Sequence, residues 1–394
     1  MKQKQSLVAI TAVLAILTAV GPISTDMYLP AFGAMSDALG YGAGGTQMTL
    51  AAWFFGLSIG QVTWGAYADH YGRRGPLLLG TSIYTLASVG CALAGDMVLF
   101  SIFRLLAAFG AAASLVIPRA VIRDVVGTDG DAARMLGRMV LVMSIVPMMA
   151  PTLGGLIVQH WDWRGIFWMA SLYGVFCLWL VQRALPDTLT PALHVRFAFG
   201  RALTGYVVVM TERVFVLHAL EGGFATFSLF AFLGGAPMVF LSGYHLSPTL
   251  FGSVFVLNAV GYALGTNVNG RMVPRYGASR VLSGAVTALV IVTLLMVVAA
   301  WFGLGGVWAQ VCGITLCMMV LGFLLPGAAL GSVLPNKGAA ASASALYGTV
   351  VFFIGAVSTV VVGRIDTPGP LPMTVLMLVG ALAALTCDRV RRRR

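Results

Sequence analysis

Long apolar runs, each broken by a short polar or charged segment, recur along the whole chain. A helix that crosses a bilayer needs roughly 20 mostly apolar residues, and twelve runs answer that description. The pattern predicts spans over Leu7–Leu29, Met48–Ala66, Pro76–Ala94, Met97–Ile117, Leu136–Val158 and Ile166–Val181. It predicts six more over Phe215–Phe240, Leu250–Val268, Val281–Phe302, Val307–Leu330, Ala341–Val362 and Leu371–Leu385. The longest non-apolar stretch, Gln182–Glu212, carries Pro186 and Pro191 at mid-chain and separates six spans from six. The expected architecture is an all-α membrane protein of 12 transmembrane helices. Its N-terminal six-helix half covers residues 1–183, a linker 184–212, and its C-terminal six-helix half 213–394. The first run is too long for the apolar region of a signal peptide and continues through Asp26 into Tyr28-Leu29-Pro30, so it reads as an uncleaved first span.

Composition narrows the function classes. Only 9% of the residues are charged and 59% are apolar, where a soluble domain carries about 25% charge. That excludes a water-soluble enzyme, a nucleic-acid reader and a disordered chain. The net charge of +11 is arranged by side. All 24 Lys and Arg except Arg104, Arg164 and Arg364 fall on the side of the bilayer that holds both termini. Basic segments stay in the cytoplasm, so a multi-pass protein with cytoplasmic termini is expected. The five cysteines are odd in number and form no CxxC spacing, and the five histidines are scattered. Neither a disulfide framework, a metal site nor a cofactor is predicted. A membrane enzyme would need clustered Asp/His or metal ligands, which are lacking, and no phosphate-binding P-loop occurs. The lipid bilayer is an expected partner, and the protein is expected to be a monomer.

The two halves match at a constant offset. Gly56, Gly60, Gly65 and Gly72 fall on Gly261, Gly265, Gly270 and Gly277, each 205 residues later, on the second span of each half and the loop after it. The small-xxx-small pairs Gly56/Gly60 and Gly261/Gly265 predict close helix approach.

Three motifs carry a family resemblance. Gly65-x-x-x-Asp69-x-x-Gly72-Arg73-Arg74 resembles the loop signature of the major facilitator superfamily, at the position after the second span where that signature sits. In the family this loop stabilises one conformation by gripping the other half. The second copy has Pro274 in place of Asp69 and is expected to lack that chemistry. Pro147 and Ala150-Pro151-x-x-Gly154-Gly155 resemble the antiporter signature, with Ala150 replacing a glycine. In the family it marks exporters, and its proline kinks the helix. Arg104 in the fourth span resembles the buried arginine of proton-coupled members, although Ala107 stands where a polar residue is usual. Such an arginine needs an anion, a carbonyl or a water cavity, or else it snorkels to the outer interface. Finer likenesses include Asp26-Met27-Tyr28-Leu29-Pro30, Ala236-Pro237, Ser247-Pro248-x-x-Phe251-Gly252 and Asn258-Ala259, with Arg119-Ala120-Val121-Ile122-Arg123-Asp124 after span four. Together they resemble the Bcr/CflA drug-exporter group. The resemblance implies two six-helix halves and proton-coupled efflux of amphipathic small molecules or antibiotics across the bacterial inner membrane, with a small-molecule substrate and protons as partners. Transport of an endogenous metabolite, in either direction, is the other reading.

Proton antiport needs an acid that cycles its proton as access alternates. Of the 13 acids, two lie inside apolar runs. Asp26 sits near the outer end of span one, where Leu29-Pro30 would end the helix, and is either a coupling acid or an interfacial helix-terminal one. Glu221 sits in the inner half of span seven, where Gly222 and Gly223 would leave room for ligand or water, and is either a coupling acid or a structural partner of a basic group. Asp124 is expected to pair with Arg123. Tyr28, Trp53, Phe54, Phe227, Phe230 and Asn258 are the residues expected to line a substrate cavity.

Overall fold

The computed structural model describes residues 2–40, 42–125, 146–147, 149–185, 206–334, 340–365 and 369–393, and every regular element among them is helical. The N-terminal half comprises α1 (Lys2–Thr18), α2 (Val20–Asp26), α3 (Phe32–Leu39), α4 (Gly42–Tyr71), α5 (Arg74–Leu93), α6 (Met97–Val125) and α7 (Arg164–Ala184). The C-terminal half comprises α8 (Arg213–Pro237), α9 (Pro248–Tyr276), α10 (Ala278–Phe302), α11 (Gly306–Val333), α12 (Ala340–Gly363) and α13 (Pro370–Arg392). Between α6 and α7, residues 149–160 are also helical and belong to the predicted fifth span. Residues 186–205, most of the expected linker, lie outside the described residues, as do Arg134 and Arg138.

Ten helical segments among the described residues are long and apolar enough to cross a membrane. The 30-residue α4 is the second span; at 1.5 Å per residue it is about 45 Å long. Its apolar run is diluted because Thr46, Gln47, Thr49, Ser58 and Gln61 are buried inside the protein, away from lipid. The helices run past the predicted apolar runs by several residues, since hydropathy marks only the lipid-crossing part of a helix. Leu86, Leu172 and Leu295 are among the large apolar side chains left on the outer surface, as a bilayer-facing perimeter requires.

The first span departs from expectation. It does not end at Leu29-Pro30. It breaks after Thr18 and after Asp26, makes a 3-10 turn over Leu29–Ala31, and resumes as α3. Proline lacks a donor and fixes φ, so Pro22 and Pro30 loosen the ladder while packing carries the chain through to Leu39. Gly40 then closes α3 in the left-handed region at φ 71°. Asp26 consequently lies within the span rather than at an interfacial helix end.

Each half packs in the same way. In the first, α4 and α5 lie on α6, and α5 lies on α7. In the second, α9 and α10 lie on α11, and α10 lies on α13. The repeated glycines set this spacing: a β-carbon at Gly56 or Gly60 would overlap the α6 backbone, and one at Gly261 or Gly265 the α11 backbone. Gly72 and Gly277 turn the chain at φ 86° and 84°, where side chains with a β-carbon are disfavoured.

Two seams join the halves. Along one, α4 packs on α12, with Ser58 Oγ donating to the Thr349 carbonyl at 3.0 Å and Thr349 Oγ1 donating back to the Ser58 carbonyl at 3.1 Å. Along the other, towards the opposite end, Gly252 of α9 sits against Thr152 and Thr249 Oγ1 donates to Gln159 Oε1 at 3.4 Å.

Candidate functional site: the broken first span and its surroundings

The break after Asp26 brings three expected features together. Arg104 on α6 is 2% exposed and does not snorkel. Its guanidinium carbon lies 4.2 Å from the Tyr28 ring centroid and 4.3 Å from that of Trp53, with Phe167 at 5.8 Å. Desolvated cation–π contacts of this kind contribute about 2 kcal/mol each. The cage holds the charge, yet Nε and Nη2 of Arg104 have no hydrogen-bond partner among the described residues. Tyr28 Oη sits 3.4 Å from Thr49 Oγ1, and the Tyr28 ring packs edgewise on Phe167. Tyr28 and Trp53 therefore belong to the arginine cage.

Asp26 is partly exposed and has no hydrogen bond or ion pair among the described residues. The residue after it, Met27, touches the antiporter-like motif. A β-carbon at Gly154 would overlap the Met27 carbonyl oxygen. Glycine at 154 is thus what lets the fifth span approach the break in the first. Ala150, Pro151 and Gly155 are buried beside it, while Pro147 is half-buried.

The loop signature forms contacts within its own half. Arg73 pairs with Asp69 one turn earlier, and its Nε donates to Asp124 Oδ2 at 2.7 Å. Asp124 therefore pairs with Arg73 on the neighbouring helix end; the side chain of Arg123, its expected partner, lies outside the described residues. Arg74 Nη2 donates to the Gln182 carbonyl at 2.7 Å, closing the end of α7. Among the described residues Asp69 pairs with Arg73 and not with the other half, where the resemblance implies a grip. Contact with the other half comes instead from Gly65, close to Ala345, and the linker is held by Tyr206 Oη, which donates to the Val62 carbonyl at 3.2 Å.

Glu221 is far from this group. It is fully buried on α8, with Oε2 3.2 Å from Arg391 Nε of α13. The approach is not aligned as a hydrogen bond, and both carboxylate oxygens lack a hydrogen-bond donor among the described residues. Arg391 also pairs with buried Asp388 and donates to Ser279 Oγ at 3.0 Å and Ser283 Oγ at 3.2 Å. Ser283 Oγ in turn donates to Asp388 Oδ1 at 2.7 Å. The space expected beside Gly222 and Gly223 is filled by Tyr347 and Ile354 of α12. Sequence reading missed Asp388 and Arg391 because they sit in the terminal arginine run, where charge reads as an orientation signal; their i, i+3 spacing on a helix was the available clue.

The expected cavity aromatics divide. Phe54 stacks on Phe230 across the halves with centroids 3.7 Å apart, and Phe352 lies 6.2 Å from Phe54. Phe227 packs on Gly380 and its carbonyl accepts from Ser358 Oγ at 2.8 Å. Asn258 Oδ1 accepts from Thr315 Oγ1 at 3.1 Å, joining α9 to α11, while its Nδ2 has no partner among the described residues.

With this geometry in view, comparison with known proteins is informative. A family model described as Major Facilitator Superfamily matches residues 14–359. An uncharacterised transporter of that type, YdgK of Bacillus subtilis, is 30% identical over 99% of this chain and 97% of its own. A bicyclomycin resistance protein homologue of Haemophilus influenzae is 26% identical over 95% and 94%. A chloramphenicol resistance protein of Pseudomonas aeruginosa is 28% identical over 98% and 91%. Among solved structures, the partially occluded inward-open xylose transporter XylE of Escherichia coli superposes with a TM-score of 0.75 at 13% identity, covering 99% of this chain and 98% of that one. That likeness concerns the fold alone.

Proposed function

Because the chain belongs to the Major Facilitator Superfamily, a family of membrane transporters, we propose that it is a proton-coupled exporter of amphipathic small molecules, of the Bcr/CflA type. On this reading it lies in the bacterial inner membrane with its termini in the cytoplasm. The names of the bicyclomycin and chloramphenicol resistance relatives support the substrate class. The sided arginines support the orientation.

One observation carries the coupling half of the proposal. Gly154 of the antiporter-like motif is pressed on Met27, directly after an acid that has no partner among the described residues, in a span whose next residue, Tyr28, cages Arg104. Asp26 is the proton carrier in this scheme. A proton arriving at or leaving Asp26 changes the charge beside the break and shifts it, and Gly154 transmits that shift to the fifth span. The fifth span meets α9 of the other half at Thr152 and Gly252, so one seam between the halves responds to the acid. The Phe54–Phe230 stack separates the two access routes. Glu221, paired and enclosed, acts as a structural anchor of the C-terminal half. One proton crossing about 100 mV supplies about 2.3 kcal/mol, enough for a gradient of roughly 50-fold in substrate.

The test is chloramphenicol flux from proteoliposomes under an imposed pH gradient, comparing wild type with Asp26→Asn. The expected result is gradient-driven export in wild type and its loss in the variant, with substrate exchange retained. A full response to the gradient in Asp26→Asn overturns the assignment of the acid. Gradient-driven uptake, or flux indifferent to the gradient, overturns antiport in favour of metabolite transport.

A further inference from the structure

Outside both seams, on the perimeter of the C-terminal half, α9, α10 and α11 enclose a groove of about 410 Å³. That is within the roughly 300–1,000 Å³ of ligand-sized clefts. Its wall is apolar, formed by Met272, Val281, Ala288 and Phe323, and its rim carries Tyr276 and Arg280. The groove opens onto lipid-facing surface: Leu264 on α9 and Ile291 on α10 are exposed nearby along the same helices.

Two independent features need explaining. The first is Gly284 on the groove wall. A β-carbon there would meet nothing within 4 Å, and the backbone is ordinary helix. Neither close helix approach nor a left-handed φ asks for glycine, and glycine weakens a helix interior. What it does is leave the groove deep. The second is charge. From Pro248 to Phe302 there is no Asp or Glu, while Arg271, Arg275 and Arg280 are exposed at the same end. None of the three has an ion pair or hydrogen bond among the described residues, whereas Arg73, Arg74 and Arg391 at that end all do. A bare cation on the rim of an apolar slot, Arg280, with two more on the last turns of α9 at the same end, complements a molecule with an anionic head and a hydrocarbon tail.

We propose that this groove seats one acyl chain of an anionic phospholipid, with its phosphate held by Arg280 and by Arg275 and Arg271 on the last turns of α9. Apolar area and Arg charge act together here, as they do for lipid recognition by juxtamembrane basic clusters. The site is separate from the Phe54–Phe230 route, so its occupant is a bound lipid rather than transported substrate.

The experiment counts lipids retained by the purified full-length protein. Wild type is reconstituted in phosphatidylcholine containing phosphatidylglycerol, re-extracted, and analysed by native mass spectrometry. One phosphatidylglycerol in excess over its bilayer fraction is expected. Arg280→Gln and Arg275→Gln should each lower that retention about fivefold. Gly284→Leu, whose β-carbon meets no neighbour and whose longer side chain occupies the groove, should abolish it, and thermal melting confirms that each variant is folded. Equal retention of both lipids by wild type overturns the proposal, as does retention unchanged by Gly284→Leu or by both arginine substitutions. Displacement of the lipid by free glycerol phosphate at equal concentration would mark a soluble-phosphate site and overturn the lipid assignment.

Discussion

Arg391 is the point at which the C-terminal half is most exposed to a single substitution. It lies among two buried carboxylates, Glu221 at 0% and Asp388 at 1% exposure, with Arg392, mostly exposed, 3.9 Å from Asp388. Removing Arg391 leaves two buried acids facing one distant charge. Breaking a buried pair by deleting one partner costs about 3–5 kcal/mol. Arg391→Ala also strips Ser279 and Ser283 of a donor, so the upper part of that range is expected. Glu221→Gln should behave differently. Its oxygens accept no hydrogen bond among the described residues, so the neutral amide loses only an off-line ion contact and sheds the desolvation of a charge; a change under about 1 kcal/mol follows. The double variant should then recover part of the loss, with a coupling of about 0.5–3 kcal/mol. The assay is thermal unfolding of the purified protein in a fixed detergent for all four members of the cycle, with pH-gradient-driven transport measured in parallel. Refutation is clear-cut. Glu221→Gln as damaging as Arg391→Ala, or strict additivity, would mean that the two groups do not act as a pair. Loss of gradient response in Glu221→Gln, with stability intact, would make Glu221 the proton carrier and displace Asp26.

Gly154→Ala forces a β-carbon onto the Met27 carbonyl; an overpacking cost of about 1–3 kcal/mol and a loss of efflux under a pH gradient are expected, and wild-type flux would show that the contact has no part in coupling. Asp69→Asn should lower stability by less than about 1 kcal/mol, because its carboxylate is half exposed, whereas Asp124→Ala, whose partner Arg73 is buried, should cost more; the melting temperatures of the two variants decide the order. Phe230→Ala removes the cross-half stack, worth about 0.5–1.5 kcal/mol beyond its buried area, and should raise passive leak of substrate in unenergised proteoliposomes.

Much of the frame was legible because bilayer physics is severe. Only helices satisfy their own backbone in lipid, so apolar runs announce spans, and glycines at a fixed offset announce close approaches. What escaped were features set by partners in space. Pro30 read as a helix end, yet tertiary packing carries the first span on to Leu39. Asp124 read as a neighbour of Arg123, and nothing local showed that helix ends brought together by the loop also give it Arg73. Gly222 and Gly223 read as open space, and a facing helix fills it. In each case local sequence states a preference and the opposing helix decides the outcome.

The repeat shows where symmetry stops. The turn glycines Gly72 and Gly277 are equivalent, so Arg74 corresponds to Ser279, and the same seam between the third and sixth helices exists in each half. In the N-terminal half Arg74, at the start of α5, reaches across to the Gln182 carbonyl near the end of α7. In the C-terminal half the direction is reversed: Arg391, at the end of α13, reaches back to Ser279 at the start of α10. The shared packing requires a donor to bridge that seam, and either side can supply it. Placing the arginine on α13 brings it beside Glu221 and Asp388, so the C-terminal bridge is bound up with two buried acids. The N-terminal bridge ends on a neutral carbonyl, and Asp26, elsewhere in that half, has no ion pair among the described residues. An acid that must exchange a proton during transport is better served by that second arrangement than by the first, since an ion pair would hold it in one charge state throughout the cycle.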